Sequence, residues 1–322
     1  MPVVDMPIGE LRDYEGRNPR PLDFDGYWDR ALEEMRGVEA DVELVPAGFQ
    51  APYAECFDLY FTGVRGARIH AKYLRPLNAS SCPAVVQFHG YTGNSGEWND
   101  KLGYVSQGYC VAAMDCRGQG GLSEDVGGVK GNTHKGHIIR GLAEAVDGEP
   151  DNLLFRHIFL DAAQLAGIVM GFDEVDAGRV GGMGGSQGGA LTVACAALEP
   201  RIKRASAQFP FLCDYKRVWE MDLGGGAYEE LRAYFRAFDI MHEREEDVFT
   251  ALGYIDVQHL AGRIKAEVLA GCGLMDNICP PSAQFAVYNK IKSTKNILIY
   301  PDFAHEGIPG YWDETMKFML EM

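Results

Sequence analysis

Two neighbouring segments in the first quarter of the chain alternate apolar and polar residues, which is the period of a half-buried β-strand. The apolar positions are Phe57, Leu59 and Phe61 in the first segment and Ile69, Ala71 and Tyr73 in the second. Because the two segments lie close together in the sequence, the alternation predicts an antiparallel hairpin. Before them, residues 24–35 bring Tyr27, Ala31 and Leu32 to one helical face and predict a helix.

From residue 84 onward the pattern changes to short apolar segments separated by glycine-rich loops and helical segments. This rhythm is typical of an α/β protein, in which helices cover both faces of a mostly parallel sheet. The predicted strands are 84–88, 111–114, 180–183, 205–208, 268–271 and 297–300, and the predicted helices are 158–170, 187–198, 282–291 and 311–320. Residues 214–258 interrupt the alternation and predict a mostly helical insertion, which would cap an active site or form a subunit contact.

Composition favours one domain over residues 1–322, with residues 1–50 as an N-terminal extension, because no linker, charge run or repeat divides the chain. Hydrophobic residues make up 47% of it, which is ample for a sizeable core. The formal net charge of −16 argues against nucleic acid and anionic membranes as partners, since both bind clustered Lys and Arg. Neutral substrates suit this charge better, although solubility is the simpler explanation of it.

The N-terminal residues 1–16 include acidic residues and no apolar run with a basic flank, so we expect no signal peptide. No apolar run approaches the length of a membrane span. The eight cysteines are spread singly, without a C-x-x-C pair or a histidine at ligand spacing, so we expect none of them to bind a metal ion. We also expect no cofactor. These features predict reduced core thiols in a cytoplasmic protein, although the even count leaves disulfides open.

Residues 184–189, Gly-Gly-Ser-Gln-Gly-Gly, fit the nucleophile-elbow pattern G-x-S-x-G. An apolar segment at 179–183 can enter this turn as a strand, and the alanine-rich segment 190–198 can leave it as a helix. Small residues on both sides are needed because the turn is strained and its backbones pass close together. The pattern predicts Ser186 as a catalytic nucleophile, with an ordinary glycine-rich turn as the alternative.

A serine hydroxyl is a weak nucleophile at neutral pH and needs a general base. In α/β-hydrolases the chain order is nucleophile, then acid, then histidine, each on a loop after a strand. His305 follows the predicted strand 297–300 and is the base that this order indicates. His89 precedes the elbow, which is the wrong order, so we expect it to brace its loop.

The acid that orients the base should follow the preceding strand, 268–271, and Asp276 lies there. Asp302 is the main alternative, but it lies three residues before His305 on the same loop, where a local cap or ion pair would explain it. Asp256 lies in the insertion and fits less well.

Ester hydrolysis also needs donors aimed at the developing oxyanion. The expected donors are the amide after the nucleophile, Gln187 N–H, and an amide from the loop after an early strand. Residues 88–96 form that loop, and they indicate Tyr91 N–H as the second donor.

The glycine-rich run 115–121 follows another predicted strand, but its spacing does not match G-x-x-x-x-G-K-[ST], so nucleotide binding is disfavoured. We expect Arg117 in this run to be buried, to pair with a carboxylate and to fix the loops around the site.

Together these motifs resemble the acetyl xylan esterase and cephalosporin-C deacetylase family of carbohydrate esterases. The matching segments are Tyr27-Trp28, His89-Gly90-Tyr91, Arg117-Gly118-Gln119, 136–141, 184–189, 210–214, Asp276 and His305-Glu306. The resemblance covers nearly the whole chain. It implies an α/β-hydrolase sheet with an N-terminal extension and an insertion after the sixth strand.

The resemblance also implies an activity: removal of acetyl groups from small acetylated sugars, xylo-oligosaccharides and cephalosporin C. It implies a metal-independent, intracellular enzyme, often a hexamer with active sites facing an inner cavity. Carried over to this sequence, Ser186, Asp276 and His305 would be the triad, with Tyr91 and Gln187 as oxyanion donors. The same resemblance gives Arg117 and Gln119 as residues that support the site.

Residues 149–155 depart from the tyrosine-rich run that this family has before the following helix, which bears on local packing and the subunit contact. Two other classes remain open. One is a hydrolase of the same fold with another substrate, such as a peptidase or a dienelactone hydrolase, although the latter would have cysteine in place of Ser186. The other is a non-catalytic carbohydrate-binding or scaffolding relative.

Overall fold

In the computed structural model, which describes residues 4–126, 136–223 and 225–322, nine strands form one sheet. The strands are β1 Glu43–Pro46, β2 Ala54–Thr62, β3 Arg68–Pro76, β4 Cys82–Phe88, β5 Cys110–Met114, β6 Val175–Gly185, β7 Arg204–Gln208, β8 Glu267–Gly273 and β9 Lys295–Tyr300. Their order across the sheet is β1-β2-β3-β5-β4-β6-β7-β8-β9. The pairings among β1, β2, β3 and β5 are antiparallel, and those from β5 through β4 to β9 are parallel. The predicted hairpin and the mostly parallel sheet are therefore confirmed.

The described residues form twelve α-helices. They are α1 Ile8–Leu11, α2 Phe24–Arg36, α3 Leu102–Val105, α4 Leu142–Val146, α5 Leu154–Met170, α6 Gln187–Leu198, α7 Tyr215–Glu220, α8 Glu229–Phe238, α9 Glu245–Leu252, α10 Val257–Leu260, α11 Pro281–Lys290 and α12 Tyr311–Leu320. Four of the five helices predicted outside the insertion agree with the structure within one residue, and α5 begins four residues earlier than predicted. None of the helices within the described residues is both long enough and apolar enough to cross a membrane.

The alternation of the central strands explains why helices lie on both faces of the sheet. Val86 of β4 belongs to the large core that contains α5 and α6, whereas its neighbour Val85 belongs to a second core with Tyr104 and Met319. Tyr104 lies on α3 and Met319 on α12, so these two helices cover the opposite face. The sheet is therefore buried on both sides at the strands that lead to the elbow.

The N-terminal extension packs on the main body through the apolar face of α2. Trp28 is fully buried, and its ring stacks 6.0 Å from that of Phe159 on α5. The indole N–H also donates a 3.0 Å hydrogen bond to the carbonyl oxygen of Tyr254, which lies just after α9. One helix thus connects the extension to both the central layer and the inserted segment.

The insertion is helical, as predicted, and contains α7, α8, α9 and the start of α10 within 214–223 and 225–258. It follows β7, the seventh strand along the chain, so the expectation of an insertion after the sixth strand was wrong by one strand. The strand that the sequence analysis did not predict is β1, a four-residue edge strand. Three of its four residues are exposed, so its sequence shows no alternation between a buried and an open face.

The segment 149–155, where the sequence departs from the family pattern, begins with a single 3₁₀ turn at Pro150–Asn152. The chain then enters α5, and Leu153, Leu154 and Phe155 are buried in the large core. All eight cysteines are free thiols; seven are buried and Cys82 is partly exposed.

Candidate active site

Ser186 lies at the sharp turn between the end of β6 and the start of α6, with φ 59° and ψ −121°. A non-glycine residue at positive φ is strained and persists only where its surroundings hold it. Here the Ser186 N–H donates to the carbonyl oxygen of Gln208 at 3.0 Å, and the Ser186 carbonyl oxygen accepts from Phe211 N–H at 3.0 Å. These backbone bonds fix the elbow against the end of β7.

The glycines of the elbow are required by close backbone approach. A Cβ added at Gly188 would lie 2.1 Å from the carbonyl oxygen of Phe88, and one at Gly184 would lie 2.5 Å from the carbonyl carbon of Gly188. Because real Cβ contacts are never this short, a side chain at either position would force the backbone apart. The glycines therefore bring the loop after β4 directly against the start of α6.

The structure brings the three predicted triad side chains together. His305 Nε2 lies 3.0 Å from Ser186 Oγ, and His305 Nδ1 lies 2.9 Å from Asp276 Oδ2. The two contacts use opposite ring nitrogens, so the carboxylate can hold the Nδ1–H tautomer while Nε2 faces the serine. The arrangement can take a proton from the hydroxyl group.

Asp276 is fully buried, and its remaining acceptor positions are occupied. Its Oδ1 accepts the N–H groups of Ile278 at 2.9 Å and Cys279 at 2.8 Å, and the side-chain amide of Gln284 lies 3.3 Å from Oδ2. The two alternative acids are placed elsewhere. Asp302 is exposed, and Asp256 accepts hydrogen bonds from Asp214 N–H and Gln258 away from the imidazole.

The two predicted oxyanion donors flank the elbow. Gln187 N–H is the first amide of α6, and Tyr91 N–H lies in the loop that Gly188 allows to approach. Among the described residues, neither amide N–H donates a hydrogen bond to another protein group. Both amides therefore lack an acceptor within the described part of the protein, as an oxyanion donor must.

Gln119 connects the two donor segments. Its side-chain amide pairs reciprocally with that of Gln187, with Nε2-to-Oε1 distances of 2.7 and 3.0 Å, and its Oε1 also accepts Thr92 N–H at 2.8 Å. Since Thr92 follows Tyr91 and Gln187 follows Ser186, one side chain sets the spacing between the two loops.

Arg117 anchors the loop after β5, which also carries Gln119. Its guanidinium forms a bidentate pair with Asp161 of α5, with Nη2 to Oδ1 at 2.7 Å, and it also donates to the carbonyl oxygen of Val64 at 3.0 Å. Both partners of the pair are buried, and the geometry agrees with the predicted pairing of a buried Arg117 with a carboxylate.

His89 braces its loop, as the sequence analysis expected. Its Nδ1 donates to the carbonyl oxygen of Gly90 at 2.7 Å, and its Nε2 accepts Cys116 N–H at 3.0 Å. Burial lowers the pKa of His89, which favours the neutral ring that this pair of bonds requires. Both nitrogens are engaged with backbone, and neither faces Ser186.

Two residues beside the site were not singled out from the sequence. Glu230 of α8 accepts hydrogen bonds from the Tyr91 hydroxyl and from the N–H groups of His137 and Ile138, the latter two at 2.8 Å. Cys279 is buried next to Asp276 and Ser186. Glu230 is 139 residues from Tyr91 and belongs to no local motif, whereas the position of Cys279 three residues after Asp276 was a usable signal.

An open cleft of about 460 Å³ leads to Ser186 and His305. Its other lining residues are mostly apolar or small: Gln87, Phe88, Gly90, Met183, Gly184, Gly185, Gln208, Phe209, Glu306, Gly307 and Trp312. The ring of Phe209 lies 4.5 Å from that of His305 and supports one side of the imidazole. A cleft of this size accommodates a small molecule.

A serine on a strained strand-to-helix turn, with an acid and a histidine on loops after later strands, defines the α/β-hydrolase class. The family model of acetyl xylan esterase (AXE1) matches residues 1–322. The chain therefore belongs to the acetyl xylan esterase family, whose members are carboxylic ester hydrolases, and the resemblance inferred from the motifs is confirmed.

Individual relatives agree with this assignment. Acetyl xylan esterase 1 from Thermoanaerobacterium sp. JW/SL YS485 is 62% identical, with a TM-score of 0.96 over 98% of this chain and 99% of that one. The acetyl xylan esterase from Paenibacillus sp. R4 is 34% identical, with a TM-score of 0.92 and the same coverage of both chains. Acetyl esterase Axe7A of Xylanibacter ruminicola is 27% identical over 293 residues, or 88% of this chain, which spans 63% of that relative's length.

Proposed function

We propose that the protein is a serine esterase that removes acetyl groups from small acetylated carbohydrates, xylo-oligosaccharides among them, and from cephalosporin C. The observation that carries the proposal is the position of His305, which joins Ser186 Oγ to Asp276 Oδ2 through its two ring nitrogens. Support for the substrate class comes from the family and from two relatives named as acetyl xylan esterases.

In the proposed mechanism, Ser186 Oγ attacks the acetyl carbonyl carbon while His305 Nε2 takes the hydroxyl proton. The amides of Tyr91 and Gln187 stabilise the negative charge on the carbonyl oxygen. As the bond to the sugar oxygen breaks, His305 returns the proton to that oxygen, leaving an acetyl group on Ser186. A water molecule, deprotonated by His305, then attacks the acetyl carbon, and acetate leaves as Ser186 regains its proton.

Asp276 has an orienting role in this scheme. Its carboxylate holds His305 in the tautomer with the proton on Nδ1 and stabilises the imidazolium that forms after proton transfer. The backbone donors from Ile278 and Cys279 keep the carboxylate in place during this change.

The direct test measures acetate release from acetylated xylo-oligosaccharides and from cephalosporin C with the wild type, Ser186→Ala and Asp276→Asn. We expect Ser186→Ala to lower kcat by about 10⁶-fold and Asp276→Asn by about 10⁴-fold. Asp302→Asn is the matched control, because Asp302 is exposed on the histidine loop, and it should retain wild-type activity. Release of acetate by Ser186→Ala at the wild-type rate would reject the serine mechanism.

A second experiment separates an esterase from a non-catalytic relative. A serine-directed fluorophosphonate should give a single covalent adduct, located by mass spectrometry on Ser186 and lost in Ser186→Ala. An unmodified Ser186 would favour the carbohydrate-binding alternative.

We also propose a cytoplasmic homo-oligomer, a hexamer by the resemblance, with no nucleic acid or membrane partner. The net charge of −16 and the eight free thiols support this setting. Light scattering coupled to size-exclusion chromatography tests the assembly, and a mass equal to one 322-residue chain would reject it.

A further inference from the structure

One thiol, one imidazole and one carboxylate meet at the base of the active site. Asp276, Cys279 and His305 each present one ligand atom, and these three atoms all lie within 4.8 Å of one another. Within residues 4–126, 136–223 and 225–322, this is the one group of three or more such side chains with that geometry. Sulfur, nitrogen and oxygen ligands in this combination suit zinc and its soft congener cadmium.

Cys279 is held in place by its own backbone. Its N–H donates to Asp276 Oδ1 at 2.8 Å, and its carbonyl oxygen accepts the side-chain amide of Gln284 at 2.5 Å. Burial raises the pKa of the Cys279 thiol well above its usual range, and the charge of Asp276 raises it further, whereas a hydrogen bond with Ser186 lowers it. The sulfur atom of Cys279 lies within 4.8 Å of a carboxylate oxygen of Asp276 and of a ring nitrogen of His305.

Access to this group is through the cleft. Asp276 and Cys279 are fully buried, but the side chain of His305 is 20% exposed and lines the cleft together with Ser186. An ion that enters the cleft meets the imidazole first and has the other two ligands behind it.

We propose that Asp276, Cys279 and His305 form an inhibitory site for a thiophilic divalent cation, Zn²⁺ or Cd²⁺. On binding, the thiol proton of Cys279 leaves to solvent and a metal–sulfur bond forms, with no change in oxidation state. The imidazole gives the ion a nitrogen lone pair, and the carboxylate gives it an oxygen, for which one of the hydrogen bonds to Asp276 breaks. Water or Ser186 Oγ can complete a four-coordinate shell.

The ion is an inhibitor in this proposal because it competes with the proton relay. Bound at Nε2 it would occupy the lone pair that must accept the serine proton. Bound at Nδ1 it would replace the proton shared with Asp276 and reverse the tautomer that faces Ser186. In either case the histidine can no longer act as the general base.

The first test titrates acetylesterase activity with zinc sulfate for the wild type and for Cys279→Ala, and each is compared with its own zinc-free rate. This readout rests on the proposed function. We expect zinc to inhibit the wild type and EDTA to reverse the inhibition. Inhibition of Cys279→Ala should need a zinc concentration at least about tenfold higher, because even the loss of a residue that only supports a ligand lowers metal affinity by that factor. The control is Cys82→Ser, which removes the most exposed thiol and should leave zinc inhibition at the wild-type level.

The second test does not depend on catalysis. Cadmium chloride is added to the Ser186→Ala protein, and the ultraviolet charge-transfer absorption of a cadmium–thiolate bond is recorded. We expect a band that saturates at one ion per chain and is lost in the Ser186→Ala, Cys279→Ala double variant. A band of equal size in both proteins, or zinc inhibition equal in wild type and Cys279→Ala, would overturn the proposal. If the wild type has no esterase activity but the cadmium band of Ser186→Ala still depends on Cys279, the esterase function is rejected and the metal site is retained.

Discussion

The hydroxyl of Tyr91 donates a hydrogen bond to the carboxylate of Glu230, which lies on α8 of the inserted segment. The same carboxylate accepts the N–H groups of His137 and Ile138, so one side chain holds together the insertion, the 137–139 segment and the loop with the proposed oxyanion donor. Burial raises the pKa of Glu230, and its hydrogen bonds lower it in part. The insertion is thus in direct contact with the active-site loops.

We predict that Glu230→Gln lowers kcat for p-nitrophenyl acetate with a smaller effect on KM. An amide has only one acceptor oxygen, so it cannot accept hydrogen bonds from Tyr91 and from both backbone donors as the two carboxylate oxygens do. Each lost hydrogen bond to a charged group is worth about 1.5–3 kcal/mol. The loop with Tyr91 N–H then loses its fixed position, which affects the transition state more than the ground state. Steady-state kinetics on the folded variant give the result.

The matched control for this prediction is Tyr91→Phe, which removes the hydroxyl and keeps the backbone amide. If Glu230 acts through Tyr91, the double variant should be little worse than Glu230→Gln alone, because both changes break the same contact. Strictly additive losses in a double-mutant cycle would contradict this coupling.

We predict that Arg117→Ala is strongly destabilising, by about 3–5 kcal/mol, because it leaves the buried carboxylate of Asp161 without its partner. Chemical denaturation measures the free energy of unfolding. The surface pair Arg201–Glu199 provides the control, since the Arg201 side chain is 57% exposed. Arg201→Ala should lower the free energy of unfolding by less than about 1 kcal/mol. Equal losses in the two variants would show that burial of the Arg117–Asp161 pair does not add to the cost of breaking it.

A buried carboxyl group in the insertion predicts a pH-dependent stability. Burial raises the pKa of Asp256 to about 7, and the nearby charge of Asp214 adds to this rise. The folded state therefore binds a proton at Asp256 more tightly than the unfolded chain does, because the pKa is about 7 in the folded state and near 3.8 in the unfolded chain. This tighter binding stabilises the folded state fully below pH 3.8. The stabilisation is lost as pH rises from 3.8 to about 7, by up to about 1.4 kcal/mol per pH unit.

Asp256→Asn isolates this effect. Urea denaturation at a series of pH values should show that the difference in unfolding free energy, wild type minus variant, falls as pH rises from 4 to 7 and then stays level. The variant is expected to be less stable at every pH, because its NH₂ group faces the N–H donors of Asp214 and Gln258. A difference that does not change with pH would refute the raised pKa.

The parts of the fold that the sequence predicted are those with strong local periodicity. The β2–β3 hairpin alternates cleanly, and α6 and α12 were predicted with their observed bounds. The proposed triad was found because chain order and strand-end position constrain the candidates, and not because any single residue is distinctive. The short edge strand β1 has no buried face and left no such signal.

Residues whose importance depends on long-range contacts could not be predicted in this way. Glu230 meets Tyr91 across 139 residues, and Arg117 meets Asp161 across 44, so the sequence suggested a carboxylate partner for the arginine without naming it. Cys279 lies three positions after Asp276, which was a local signal, but its imidazole neighbour His305 is 26 positions further along. Such pairs follow from the three-dimensional arrangement of loops at one edge of the sheet.

The glycine after Gln187 gives the most local test of the elbow. We predict that Gly188→Ala abolishes activity and lowers stability, because its Cβ would lie 2.1 Å from the carbonyl oxygen of Phe88, a backbone atom that cannot rotate away. Relief of this overlap must push the loop after β4 from the elbow and carry Tyr91 N–H away from Ser186. Activity and unfolding free energy are measured together, with Gly48→Ala as the control on the exposed loop between β1 and β2, where an added Cβ meets no atom within 4 Å. A Gly188→Ala protein as active as Gly48→Ala would show that the close approach of the two loops is not needed for catalysis.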